Sequence, residues 1–371
     1  MGSKYPESLR ISLPFWALIL EGAFILVFFF FTSYETPSKK LELLKLYPAA
    51  FQDINVMVVL GLGFFKAFLR RYAWSSVAFN FFTLALGVQW AIILEGFLFS
   101  FSSEKIIINI HSLILGTMSA MSVLISSGAT LGKVNLLQMI VMTLLEITVF
   151  QGTKKFNQYF LKGHEEMSMM HIHVFGAYFG MAANWCLSWS VPNEAKEKER
   201  TTTTSSLFTT LGILFMWIFW PTFNSALLKY SSEKEAAVYN TYYALAVSAV
   251  VAMSFSAATH SDGKISMGCF TRVIELHDTC EVHSTFGLPG LLGGLTYILL
   301  ETEQASWTNS SMVGFQILLS AGCLSLFIAM GLAGGILTGL ILSFNMWKPP
   351  PPAKYFDDQA FWEFPHLAVG F

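Results

Sequence analysis

The chain alternates between long apolar runs and short polar stretches. A helix needs about 20 apolar residues to cross the hydrocarbon core of a bilayer. Ten runs come close to that length, so the pattern predicts an all-α, multipass transmembrane helix bundle. The predicted spans are residues 12–32, 54–69, 75–100, 106–127, 134–152, 168–190, 206–228, 236–259, 286–302 and 312–343.

Composition agrees with a membrane protein and argues against several other classes. The sequence is 54% hydrophobic and 12% charged, whereas soluble domains carry about 25% charged residues. A net charge of −2 without a basic stripe argues against nucleic-acid binding. The four cysteines form no CxxC pair, and no nucleophile elbow, HExxH or cofactor loop is present. We therefore expect no enzyme activity, no metal and no cofactor.

Ten spans place both termini on the same side of the membrane. Arg70 and Arg71 occupy a very short loop between two spans. Because short loops rich in Lys and Arg stay in the cytoplasm, we predict that both termini are cytoplasmic. The first apolar run is too long for a signal-peptide core and is interpreted as a retained span.

Few charged side chains lie inside the predicted spans. A charge at mid-bilayer costs about 2.5–3.5 kcal/mol, so such groups must face protein, water or a substrate path. Glu21, Glu95 and Glu146 are interpreted as hydrogen-bonded groups in helix packing. Lys66, close to Arg70, is expected to extend its ammonium to the inner interface.

Two histidines lie in the run "MHIHVFGAYFG". Residues two apart on a helix are separated by about 200°, so His171 and His173 cannot chelate one ion. His173 lies on the face of Gly176 and Gly180, where helices are expected to pack closely. Each histidine could be structural. A neutral imidazole that donates and accepts hydrogen bonds would also suit the wall of a pore.

Several segments together resemble the Rh proteins of the ammonium transporter superfamily: "IHVFGAYFG", "FMWIFWPTFNSALL", "SSVAFNFFTLALGVQWAI", "MSVLIS", "GATLGKVNLLQ" and the tail "AKYFDDQAFWEFPHLAVGF". Within that family the chain resembles the non-glycosylated erythroid branch of blood-group D/CE type. The resemblance implies a bundle of eleven or twelve helices around a central pore, assembled as trimers.

The same resemblance implies roles for individual residues. His173 matches the first of two pore histidines. In "DTCEVHSTFGLPG", His283 matches an outer histidine, whereas the position of the second pore histidine holds Phe286. A vestibular phenylalanine pair of the family is matched by Phe223 and Ser127. Glu165 has the spacing of an acid that recruits ammonium, although a solvated loop is the alternative.

One departure from the family is large. About two spans that Rh proteins carry are missing in frame near residues 267–268, which explains ten spans instead of twelve. We predict an ammonium-transporter-like membrane domain over 1–348 and a cytoplasmic tail over 349–371. The tail, after the linker "KPPPPAKYF", either docks a cytoskeletal partner or folds against the bundle.

Two residues are candidates for modification. Asn309 begins the sequon "NSS" in a predicted outer loop. Cys186, at the inner end of its span, is either a palmitoylation site or a buried thiol.

Two functions remain open. One is an ammonium or ammonia channel of the plasma membrane with a histidine-lined pore. The alternative is a non-conducting structural and antigenic subunit of an erythrocyte Rh membrane complex linked to the membrane skeleton. In either case the expected partners are the lipid bilayer and further subunits, as a homotrimer or as a heterotrimer with a glycosylated Rh protein.

Overall fold

The computed structural model describes residues 8–34, 43–102, 105–163, 165–187, 195, 198–259, 278–308 and 311–362. Asn309 and the predicted junction near residues 267–268 lie outside this described part. Helices dominate it and confirm the predicted all-α bundle. They are α1 (Leu13–Phe31), α2 (Leu43–Val56), α3 (Leu62–Phe65), α4 (Ala73–Phe99), α5 (Ile110–Ala129), α6 (Leu136–Phe156), α7 (Glu165–Met170), α8 (Ile172–Leu187), α9 (Thr203–Ser225), α10 (Ser231–Thr259), α11 (Leu288–Thr308) and α12 (Ser311–Leu342).

Within the described residues the ten predicted spans lie largely on helices, although the helical stretch at the second span begins at Leu43, eleven residues before the predicted start. Within the described residues, seven helical segments are long and apolar enough to cross a membrane by length and composition. The predicted second span is a shorter apolar helix, Ala49–Phe65, that passes through a π-helical turn at Met57–Gly61. The chain is therefore a multipass membrane protein.

The two ends of the bundle differ, and we name them by what they carry. At the sheet end, β1 (Thr32–Tyr34), β2 (Phe101–Ser102) and β3 (Lys105–Ile108) form a small sheet in the order β1-β3-β2. Strand β3 pairs in parallel with β1 and antiparallel with β2. At the tail end, residues 345–362 fold beneath the helices in short 3₁₀ turns.

Helix α8 is held at the centre by glycines. Gly176 and Gly180 lie against the backbone of α5. From α12, Gly331, Gly335 and Gly339 lie against backbone carbonyls of α8. Apolar side chains give helices in lipid no hydrophobic reason to associate, so close backbone contact must supply the packing. The predicted face of Gly176 and Gly180, together with the glycines of α12, thus positions α8.

The three acids within the spans have hydrogen-bond or ion-pair partners, as predicted. Glu21 accepts a hydrogen bond from Gln89 at 3.2 Å, Glu95 pairs with Lys154 at 2.8 Å, and Glu146 accepts from the Ser126 hydroxyl.

The prediction for Lys66 is wrong. Its ammonium does not extend to the interface; the side chain is buried and its Nζ donates to Asn80 and Ser127, both at 2.8 Å. The short turn after α3 directs it into the bundle, where two side-chain oxygens solvate it.

The described part of the tail folds against the bundle. Phe356 is fully buried and its backbone N–H donates to the Gly132 carbonyl at 3.1 Å. The Asp358 carboxylate accepts from the backbone N–H groups of Trp74 and Ser75 at 3.0 and 2.9 Å. The first N–H groups of a helix have no partner within it, so Asp358 caps α4 from a distant part of the sequence. Burial raises the pKa of Asp358, against the opposing effect of these hydrogen bonds.

Replacing Asp358 with alanine should release the tail from the N-terminus of α4. Loss of a helix cap costs about 0.5–2 kcal/mol. We expect faster amide hydrogen exchange at Trp74 and Ser75 and faster proteolysis near residue 355. Gln359→Ala, at an exposed neighbouring position, is the control and should leave both rates unchanged.

Replacing Gly335 with alanine should push α12 away from α8. A Cβ at this position would fall on the Phe179 carbonyl, which belongs to backbone and cannot rotate away. We expect a destabilisation of about 1–3 kcal/mol, measured as a lower melting temperature in detergent. Gly152→Ala is the control because a Cβ there meets nothing within 4 Å. An equal effect of both substitutions would contradict this account.

Candidate functional site: a passage ending at His173

His173 lies near the start of α8 and is surrounded by aromatic rings. The ring centroids of Trp220 and Phe223, both on α9, lie 5.4 and 5.9 Å from its own. Phe286 stacks on His173 at 6.2 Å, with 14° between the ring planes, and its centroid lies 6.5 Å from that of Trp220. The structure therefore brings together three of the predicted residues, His173, Phe223 and Phe286.

A cavity of about 620 Å³ reaches this aromatic cluster. Its inner wall includes His173, Trp220, Phe223 and Phe286, and Met118 of α5 also lines it. The imidazole thus faces a protein-lined space, and the interpretation of His173 as a pore group keeps its physical basis.

The two neighbouring histidines differ in their hydrogen bonding. His171 Nδ1 lies 2.7 Å from the Met167 carbonyl, and its ring stacks on Phe327 at 5.5 Å. His173 Nε2 is buried and has no hydrogen-bond partner among the described residues. A buried polar atom without a partner is costly, and native proteins keep one mainly where a ligand or water meets it. Both histidines line the cavity, but a ring nitrogen of His171 has a backbone partner, whereas His173 Nε2 has none among the described residues.

The cavity stops at the aromatic cluster. Phe223 and Phe286 are only 2% and 4% exposed, and Phe65 packs edge-on against Phe286 at 6.1 Å. An ion crossing this layer would lose its hydration and gain only ring faces in exchange. A small neutral molecule loses far less.

His283 lies on the same π-helical turn as Phe286, His283–Gly287. Its ring contacts Tyr178 at 5.9 Å rather than His173, and its Nδ1 is also buried without a partner among the described residues. The phenyl ring of Phe286, and not a second imidazole, stacks on His173. The histidine pair of the family is thus only half present here, which is what the resemblance implied.

The structure places another predicted residue, Ser127, away from this cluster. Ser127 lies at the tail end, bonded to Lys66, and Met118 is the α5 residue that lines the cavity with Phe223. Met118 and Ser127 are nine residue steps apart on α5, which is about 13 Å along the helix axis. They therefore lie in different layers of the bundle.

Glu165 lines a second cavity, of about 450 Å³. Burial would raise the pKa of Glu165, but the hydrogen bond with His111 and the charge of Lys154 outweigh it and lower that pKa. Its neighbour Glu166 lines the cavity that leads to His173, together with Glu233 of α10. Glu165, eight residues before His173, therefore lines a different cavity, and Glu166 lines the one that reaches His173.

Three residues of the site were missed from the sequence: Trp220, Met118 and Glu233. The spacing "WPTF" places Trp220 three residues before Phe223, on the same helical face. The sequence spacing could therefore have identified Trp220. No local pattern indicated that α10 would bring Glu233 to the cavity.

The two modification candidates remain predictions. Cys186 is half-buried, with its sulfur 3.7 Å from the Ile336 carbonyl of α12. Asn309 is outside the described residues.

Comparison with known proteins decides the family. The sequence profile of the Ammonium Transporter Family matches residues 16–270 and 264–348, most of the chain. The chain belongs to the ammonium transporter family. It is an Rh-type member: an RH-like protein of Macaca mulatta is 50% identical over 417 aligned residues, covering 100% of both chains. The blood group Rh(D) polypeptide of Homo sapiens is 45% identical over 417 residues, again covering 100% of both.

Solved structures agree on the fold. The Rh50 protein of Nitrosomonas europaea, from a study of conduction by the Rhesus protein family of channels, superposes with a TM-score of 0.72 at 22% identity. That match covers 88% of this Rh-type chain and 93% of the other. A sensor Amt protein superposes with a TM-score of 0.66 at 16% identity, over 85% and 97% of the two chains.

The two histidines should respond differently to leucine. His171→Leu removes a satisfied hydrogen bond, so we expect a loss of about 0.5–1.5 kcal/mol. His173→Leu removes a backbone hydrogen bond with Met170 but also an unpartnered buried nitrogen, and because these effects oppose each other the loss should be smaller than for His171→Leu. Thermal unfolding in detergent measures both, and a larger loss for His173→Leu would show that His173 is itself structural.

Proposed function

We propose that this Rh-type protein is a channel that passes ammonia in its neutral form. The observation that carries the proposal is the unpartnered Nε2 of His173 at the inner end of a cavity. Ammonium collects at the cavity wall near Glu166 and Glu233 and returns its proton to water there. Ammonia then crosses the aromatic layer, and His173 exchanges a hydrogen bond with it.

The charges of the cavity support this order of events. Glu166 faces the exposed Lys229 at 3.4 Å, so its charge is only partly offset. Two carboxylates raise the local concentration of a small cation, and this attraction weakens as salt increases. At its end the wall is formed by the aromatic rings of Trp220, Phe223 and Phe286, which favour the neutral species.

Phe286 limits the rate in this mechanism. It is planar like a histidine but can neither donate nor accept a hydrogen bond. Ammonia that leaves His173 therefore meets no partner until the layer beyond. The aromatic rings must also shift, because the cavity ends at them.

The alternative function is a non-conducting structural and antigenic subunit of an erythrocyte Rh complex. Phe286 favours it, and so does the similarity to a blood group Rh(D) polypeptide. In this role the chain joins a glycosylated Rh partner as a heterotrimer, whereas the channel can also be a homotrimer. Helices α10 and α11 expose large apolar side chains such as Tyr243, Val250 and Leu292, which suit lipid or a neighbouring subunit.

The position of the tail is consistent with the proposal that the chain lies in the plasma membrane with both termini in the cytoplasm. Arg70 and Arg71 lie at the tail end, as the predicted orientation requires. Lys354 and Gln359 remain exposed on the docked tail and offer a surface to a membrane-skeleton anchor.

The proposed loss of two spans has support from the alignment lengths. Alignments of 417 positions against a chain of 371 residues leave at least 46 positions without a residue here. Two membrane helices take about 40 residues. The two matched segments of the family profile also meet at residues 264–270. We therefore keep the proposed junction, where two spans are missing, near residues 267–268 within the membrane domain 1–348.

Flux through liposomes tests the channel. Reconstituted protein should speed the internal pH rise that follows addition of ammonium outside the vesicles, because ammonia that enters takes up a proton inside; empty vesicles are the reference. His173→Leu should slow it by about 2- to 10-fold, since one hydrogen bond is worth about 0.5–1.5 kcal/mol. Phe286→His should raise it, while Phe286→Leu controls for removal of the ring.

A wild-type rate equal to that of empty vesicles would leave only the structural role. Unchanged flux in His173→Leu would remove His173 from the path even if the protein conducts.

A further inference from the structure

A lysine side chain lies buried inside the bundle near the inner end of the passage. Lys66 is only 2% exposed. Its Nζ donates to Asn80 Oδ1 and to Ser127 Oγ, both at 2.8 Å. Among the described residues no carboxylate forms an ion pair with it; Glu146 lies within electrostatic range but is bonded to Ser126. Neutral oxygens solvate this ammonium without cancelling its charge.

The position of Lys66 relates directly to the aromatic layer. The preceding residue, Phe65, packs its ring on Phe286. The residue after Ser127 is Gly128, which lies against Val282 and Cys280, just before the turn that carries Phe286. The ammonium therefore occupies the next layer after the aromatic rings, toward the tail end.

A second lysine adds to the charge of this layer. Lys133 is 3% exposed and donates to Asn184 at 2.8 Å. Lys66 and Lys133 both lie within electrostatic range of the Cys280 side chain. A solute that passes Phe286 toward the tail end thus approaches two buried ammonium groups.

We propose that Lys66 is the charge-selectivity residue of this passage, a tethered ammonium that repels permeant cations and leaves the way open to neutral solutes. The repulsion is strong because the layer is buried, where charges are screened far less than in water. The inference rests on the proposed function, since it describes the selectivity of the same passage.

Removing this charge gives a direct test. Lys66→Met keeps the length of the side chain, and Lys66→Arg keeps its charge. The full-length variants are compared in planar bilayers, with methylammonium as the current carrier, and in liposomes for neutral ammonia flux. We expect the methylammonium current of Lys66→Met to rise at least tenfold above that of the wild type. Lys66→Arg should behave as the wild type.

Lys105→Met serves as the matched control, because Lys105 is exposed on β3 at the sheet end. Its removal takes away one lysine charge without touching the buried layer, and its current should not change. If Lys66→Met does not fold, Lys66→Gln decides the question, since its amide can still bond to Asn80 and Ser127. Gel filtration and melting temperature establish folding.

The outcomes separate this proposal from the proposed function. The role of Lys66 is overturned if the methylammonium current of Lys66→Met is no larger than that of the wild type, whatever the ammonia flux. Where Lys66→Met does not fold, the same criterion applies to Lys66→Gln. A wild type without ammonia flux overturns the channel function instead. In that case a current that appears only without the Lys66 charge still supports the charge barrier.

Discussion

The contact of α8 with its neighbours through glycine is the constraint on which the passage depends. Gly176 and Gly180 let α8 approach α5, and the glycines of α12 close on its other side. A helix held by backbone contact on two sides cannot rotate. The direction of His173 is therefore set by packing, and α9 and the π-helical turn only have to supply rings around a fixed imidazole.

The layers along the passage then have distinct physical roles. Carboxylates line the open cavity, aromatic rings close it, and lysine ammonium groups lie beyond. The first layer attracts cations, the second excludes water, and the third carries the same sign of charge as the cations that the first attracts. Such an order favours a solute that loses its charge on the way. The same order of layers makes a closed, non-conducting passage if the aromatic rings do not move.

The C-terminal tail supports this arrangement through its contacts at the start of α4. Asp358 caps α4, and Phe361 packs on Tyr72 and Phe79 of the same region. Helix α4 also carries Asn80, which holds the Lys66 ammonium. The docked tail and the buried lysine thus share one supporting helix, and this helix crosses the whole bundle.

The sequence by itself determined the helical class, the spans and the small-residue faces, because apolar run length and glycine spacing are local properties. The same holds for the resemblance that singled out His173, Phe223 and Phe286. Only the tertiary structure decided which glutamate faces the cavity, that Ser127 belongs to another layer and that Lys66 points inward. Those outcomes depend on how far along its axis each helix meets its neighbours, and residue spacing within one helix carries no information on that offset.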